Sequence, residues 1–175
     1  LFGDAIREIE NQIALLDKEQ LNAAKNVAPG IQRIRGLAGT GKTVLLAMRA
    51  AEIHQREPEK KILFTFNTQS LYNQARNLIT KFYRFRAEVD PDWDRVHIRH
   101  AWGGRNRPGV YYDLAKRQGV APLSLNDVRR SGYTKVPFQS ACESALTRPI
   151  LPEYDYVLVD EAQDFPNAFF QVLRR

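Results

Sequence analysis

Residues 36–43 read GLAGTGKT. Gly36, Gly39 and Gly41 fall within six positions, and Lys42 and Thr43 follow, which fits the pattern G-x-x-x-x-G-K-[ST]. Few short motifs dictate so much of their surroundings. Glycines allow backbone shapes that a side chain would block, so successive N–H groups can turn inward toward one anion. The helix that follows presents its positive end to the same place. Such a loop works between a strand and a helix, and the flanks read that way. Ile31 to Gly36 is predicted as a short strand, and Val44, Leu45, Leu46 and Met48 lie on the helix after it. The alternative, a glycine-rich turn that merely precedes a helix, fits this placement poorly. Gly36, Ala38, Gly39, Thr40, Gly41, Lys42 and Thr43 are therefore expected to surround the phosphates of a nucleotide, with Lys42 on the outer phosphates and the Thr43 hydroxyl on Mg²⁺.

The rest of the chain alternates in the same manner. Ile6, Ile9, Ile13 and Leu16 recur at helical spacing, and Asp17 is placed to cap a second helix. KILFTF (61–66) is an apolar strand, a polar helix runs through Leu71, Leu78 and Phe82, and VHIRH (96–100) is a third strand. Glycines and prolines scatter through 103–152, where helical stretches are predicted near Tyr111–Gln118, Asn126–Arg130 and Gln139–Leu146. YDYVLVD (154–160) returns to strand. Its centre, Val157, Leu158 and Val159, is apolar on both faces, as in a parallel strand covered on each side. Strand–helix alternation predicts an α/β fold with a mostly parallel sheet. Residues 1–175 are expected to form one domain, with a small helical insertion at about 103–152.

That last strand ends in Asp160 and Glu161, within VLVDEAQDF (157–165). In open α/β sheets, ligands sit beyond the carboxyl ends of the strands. Two adjacent acids there could simply cap the helix expected from Pro166. In a chain that also carries GLAGTGKT, they suit Mg²⁺ (Asp160) and the attacking water (Glu161). Together the two motifs predict binding and hydrolysis of a nucleoside triphosphate.

The spelling DEAQD resembles the Walker B motif of superfamily 1 helicases, the UvrD/Rep-type translocases. LDKEQLNAAKN (16–26) resembles their Q motif, and the order of Q motif, phosphate loop, FTFNTQSL (64–71) and DEAQD is also theirs. The resemblance implies a RecA-like ATPase domain that uses ATP and Mg²⁺. Lys42, Glu161 and Gln163 would be catalytic, and Thr43 and Asp160 would hold the metal. It also implies that Gln20 reads adenine; on local grounds a capping box with Asp17 explains Gln20 equally well. Single-stranded nucleic acid, DNA more than RNA, would be the partner, contacted at Thr65, Phe66 and Asn67. A second RecA-like domain would complete the cleft. The chain departs from the family where Asn67-Thr68-Gln69 lacks the usual lysine, and where HAW (100–102) stands for a TFH-like signature.

Charge agrees with a polyanionic partner without requiring one: Lys and Arg number 26 against 20 acidic residues, a net charge of +6. Arg76, Lys81, Arg84 and Arg86 lie on or just after the helix that follows KILFTF, Arg95, Arg99, Arg105 and Arg107 surround Trp102, and basic residues among aromatics suit a single strand. The competing reading puts Phe66 and Trp102 in the core and the arginines on a solvated face. His54, His97 and His100 lack metal-like spacing and read as ordinary residues. Cys142 is the only cysteine, which excludes an internal disulfide and suits a reducing, cytoplasmic setting. LFGDAIREIE (1–10) has neither the basic start nor the apolar core of a signal peptide, and the missing initial methionine suggests a piece of a longer protein. Two rival functions remain: a nucleotide-controlled switch acting on a partner, and a binding module with a vestigial site.

Overall fold

A computed structural model describes residues 22, 30–32, 34, 41–130 and 136–174. The helices predicted before residue 20, Gln20 itself, and Gly36, Ala38, Gly39 and Thr40 lie outside the described residues. Within them the order is α1 (Lys42–Arg56), β1 (Ile62–Phe66), α2 (Leu71–Ala87), β2 (Val96–His100), α3 (Val110–Arg117), α4 (Leu125–Arg130), α5 (Pro137–Ala145), β3 (Tyr156–Val159) and α6 (Asn167–Leu173). A single 3₁₀ turn, Ala162–Asp164, separates β3 from α6.

The three strands form a parallel sheet in the order β2-β1-β3. The register sets Phe64 of β1 beside Ile98 of β2 and Leu158 of β3. β1 is central, and all five of its residues are buried. That is why ILFTF reads as a continuous apolar run: a central parallel strand is covered on both faces. β3 pairs only with β1 among the described strands, and only Leu158 of its four residues is fully buried. β3 is covered less completely than β1, although it meets a core on each face.

One layer packs α1 and α2 on one face of the sheet. Ala47, Ala50, Ala51 and Ile53 of α1 meet Ala75, Leu78, Ile79 and Phe82 of α2 over Ile62, Phe64 and Phe66. The alanines of α1 let the two helices approach closely, while the 3–4 spacing of the α2 residues makes its apolar stripe. A second core joins α3–α6: Tyr111, Leu114, Val128, Ala141, Cys142, Phe165 and Phe169 are buried together, with Val159 of β3 against them. Leu158 faces the first core and Val159 the second, as the two-residue period of a strand requires. The helices predicted near 111–118, 126–130 and 139–146 are thus present. They form a core in common with α6, beyond the predicted insertion.

Of the strand predicted over 31–36 only Ile31, Gln32 and Ile34 are described, and at these three the expectation is corrected: none is in strand conformation. A strand exists by pairing its N–H and C=O groups, and none of these three residues has a ladder partner among the described strands. Ile31 is 81% exposed, and Ile34 packs against Leu45, Val44 and Met48 instead.

Candidate active site

Gly41 precedes α1 with φ +76°, a left-handed conformation that suits glycine. It leaves Lys42 and Thr43 as the first two residues of the helix, at its positive end. Across the sheet, the Asp160 N–H donates to the Thr65 carbonyl at 2.9 Å, extending the ladder one residue past β3. These two ends meet. The Thr43 hydroxyl donates to Asp160 Oδ2 at 2.6 Å, joining residues 117 apart in sequence.

Asp160 is 1% exposed. Its second oxygen accepts the Glu161 N–H at 3.0 Å. Burial pushes its carboxyl above the ordinary carboxylate range, and the Glu161 charge adds a smaller push the same way. The Thr43 hydroxyl, the Glu161 N–H and the Lys42 ammonium pull it back. A carboxylate deprived of water, with one hydroxyl and one ammonium near it, is an environment that a divalent cation would relieve. Among the described residues no group of three or more His, Cys, Asp or Glu side chains could hold a metal. Mg²⁺ needs no such cage: one or two protein oxygens suffice when phosphates supply the others. Thr43 and Asp160 meet that requirement.

Glu161 has φ +50° and ψ +47°. A non-glycine residue in that region carries strain, and the bend turns the chain from β3 into the 3₁₀ turn. Its carboxylate accepts a hydrogen bond from the exposed Gln163 amide. Phe165 is buried in the second core against Phe169, with ring centroids 4.7 Å apart, and anchors the far end of the turn. Thr43 and Asp160 thus meet at the carboxyl end of β3, with Gly41 and Lys42 just before Thr43 in the chain and Glu161 and Gln163 in the turn after Asp160.

The residues expected to touch nucleic acid do not form one surface. Thr65 and Phe66 are buried in β1, at 0% and 1% exposure, so neither side chain is offered to a ligand. Asn67 is exposed. The half-buried Trp102 is committed to the second core: its indole N–H donates to the Leu123 carbonyl at 2.9 Å, and its ring stacks on Phe138. Ring area of that size is held by burial against other rings. Many of the arginines are also engaged: Arg76 covers Trp93 at 4.0 Å, Arg84 pairs with Asp90, Arg86 with Glu52, and Arg99 with Asp113. Arg105 and Arg107 are exposed in the loop after β2. His100, read from the sequence as ordinary, joins that loop to the one after β1 through both ring nitrogens. The signal for it was its place between a strand end and Gly103-Gly104, where backbone N–H groups need an acceptor.

Residues 4–168 match the family described as Type III restriction enzyme, res subunit. The chain belongs to that family. No curated protein and no solved structure matches it. Res-subunit domains are P-loop, RecA-like ATPase domains of the helicase superfamily, and the parallel sheet with its flanking helices is that fold. An ATP-driven activity on nucleic acid follows in general terms. Among the described residues of this res-subunit domain, no helix is long and apolar enough to cross a membrane.

Proposed function

We propose that this chain is the Mg-ATP-binding domain of a UvrD/Rep-like translocase that moves on single-stranded nucleic acid, DNA in preference to RNA. The observation that carries the reading is the Thr43–Asp160 hydrogen bond, which unites the phosphate-loop helix with the acid after β3. Lys42 contacts the outer phosphates, with Gly36, Ala38, Gly39, Thr40 and Gly41 offering N–H groups to the rest. Thr43 and Asp160 hold Mg²⁺, which supplies charge neutralisation on the phosphates. Glu161 accepts the proton of the attacking water, and Gln163 holds the Glu161 carboxylate in place. Gln20 reads adenine by donating and accepting side by side. The whole chain is one RecA-like domain, and a second one supplies the cation that faces the transferred phosphate. A cytoplasmic setting suits Cys142, whose buried thiol is pushed up to about 12 and stays unreactive.

The burial of Thr65, Phe66 and Trp102 favours one rival reading, an ATPase switch that controls a protein partner. Phosphate release measured with and without a single-stranded oligonucleotide separates the two. Stimulation by the oligonucleotide supports the translocase, and its absence at low salt supports the switch. In both readings Lys42→Met lowers Mg-ATP affinity by the worth of a charge-assisted bond, about 1.5–3 kcal/mol, or roughly 10- to 150-fold. Equal affinity of the two proteins by calorimetry would remove Lys42 from the site.

A further inference from the structure

The loops after β1 and β2 meet through one imidazole. His100 Nε2 lies 2.7 Å from the Asn67 carbonyl oxygen. Its Nδ1 lies 3.1 Å from the backbone nitrogens of both Trp102 and Gly103. A carbonyl only accepts and a backbone N–H only donates, so the ring must carry its proton on Nε2 and leave Nδ1 bare. The neutral Nε2–H tautomer makes all three bonds, and the other two protonation states lose at least one. Burial holds the ring below its ordinary value; the bond to the Asn67 carbonyl pulls it back in part, and the Arg107 charge adds a smaller push downward.

What the ring holds is a stiff loop. Gly103 and Gly109 touch backbone to backbone: a Cβ on Gly109 would stand 2.1 Å from Gly103 Cα. Gly104 and Arg107 bridge each other, and the Tyr111 and Tyr112 N–H groups donate to the carbonyls of Ala101 and Trp102. The tip, residues 105–108, is exposed. Arg107 reaches across to Gln69 on the other loop. Three successive carbonyls at the end of β1 are also divided between the two neighbours. That of Thr65 accepts the Asp160 N–H, that of Phe66 accepts the Ala101 N–H, and that of Asn67 accepts His100. The same short run of chain thus holds Asp160 on one side and the basic loop on the other.

We propose that His100 is a positioning residue whose Nε2–H bond to the Asn67 carbonyl sets the 101–109 loop against the 67–70 loop, so that Arg105, Arg107, Asn67 and Gln69 form one face for the sugar–phosphate backbone of a single strand. This rests on the reading that the chain moves on single-stranded nucleic acid. Phosphate contacts of this kind fix register and orientation, so their worth depends on how the two loops are held.

Two substitutions divide the ring's functions. Asn places an oxygen where Nδ1 stood and can still cap the loop, but it cannot reach Asn67. Gln places an N–H where Nε2 stood and can still reach Asn67, but it leaves the loop N–H groups without their acceptor. The glycine contact and the two tyrosine N–H bonds maintain the loop's own shape, so the two variants differ chiefly in whether the bond to Asn67 is kept. Anisotropy with a fluorescein-labelled oligodeoxythymidine, at matched melting temperature, should show His100→Gln within about 3-fold of the unmodified protein and His100→Asn about 10-fold weaker. Equal affinities for the two variants, or the reverse order, overturn the assignment. Nitrogen-15 spectra of the imidazole should show the neutral Nε2–H tautomer at neutral pH, and an Nδ1–H or doubly protonated ring also overturns it. Should the unmodified protein fail to bind the oligonucleotide even at low salt, the translocase reading falls and this assignment with it. That outcome is distinct from intact binding with Gln and Asn alike.

Discussion

Asp160→Asn should make the metal-free protein more stable and the nucleotide-loaded protein less so. Asp160 is 1% exposed, and its carboxyl is pushed up chiefly by burial. Asparagine can keep both of its hydrogen bonds: its oxygen can accept the Glu161 N–H, and its amide can donate to the Thr43 hydroxyl. Each bond loses its charge, from about 1.5–3 to about 0.5–1.5 kcal/mol, so the pair costs about 2 kcal/mol. Against this stands the penalty of a buried carboxylate, several kcal/mol for each ion even after relaxation. The net gain is about 1–2 kcal/mol, a rise of roughly 2–8 °C in melting temperature for a chain of this size. With Mg-ATP at a hundred times its dissociation constant, the unmodified protein gains about 2.7 kcal/mol, while the variant gains little. Thermal melts in chelator and in Mg-ATP should therefore rank the two proteins in opposite orders. If the variant melts lower in chelator, burial is not what dominates Asp160, and the argument for a cation-seeking site fails.

Glu161→Gly should raise stability by about 1 kcal/mol, because glycine adopts φ +50° without the penalty paid by a β-carbon, while phosphate release falls to background; an unchanged urea midpoint would show that the bend is unstrained. Gly109→Ala should cost about 2–4 kcal/mol, because the atom that its Cβ meets at 2.1 Å is backbone and cannot swing aside; a variant that melts within a degree of the parent refutes the close contact. Acid should weaken the fold. His54, His97 and His100 all lie below the ordinary 6.5, mainly because each is buried. As pH falls below about 6.5, the unfolded chain takes up protons that the native rings refuse, so stability declines until the native values are reached and then levels. Asp160 acts in the opposite sense, its raised carboxyl favouring the native state as pH falls through the carboxylate range. Urea midpoints at pH 7.5 and 5.5 measure the histidine effect, and equal midpoints would sink it.

The motifs that imply a nucleotide stand out in the sequence more sharply than the pairing of the strands. GLAGTGKT and VLVDEAQDF announce a nucleotide because their residue types are dictated locally, by φ at Gly41 and by charge at Lys42, Asp160 and Glu161. The three described strands were legible too, since a central parallel strand such as ILFTF leaves an uninterrupted apolar run. Ile31, Gln32 and Ile34 were misread because strand character in a short segment depends on a neighbour, and periodicity does not reveal whether one is there. Thr65 was misplaced, and Phe66 and Trp102 were left between two readings, for a related reason: an aromatic or β-branched residue at a strand end reads alike whether it faces a ligand or a core. His100 was invisible because its contribution lies in two ring nitrogens that meet three backbone groups, and backbone groups leave no mark in the residue code.

The 117 residues that separate Thr43 from Asp160 also order the events by which the protein comes into being. Local pairs such as α1 against α2 close early, whereas contacts of such high sequence separation pay their loop entropy before any reward. α1, β1, α2 and β2 emerge during synthesis long before β3, and until it arrives one edge of β1, a mostly apolar strand, has no neighbour among the described strands and is open to other chains. Nucleotide can reward the fold only after β3 has docked. Mg-ATP should therefore slow unfolding of the finished protein without hastening its refolding, and stopped-flow refolding that quickens with added Mg-ATP would show that the two halves of the site meet earlier than their separation along the chain dictates.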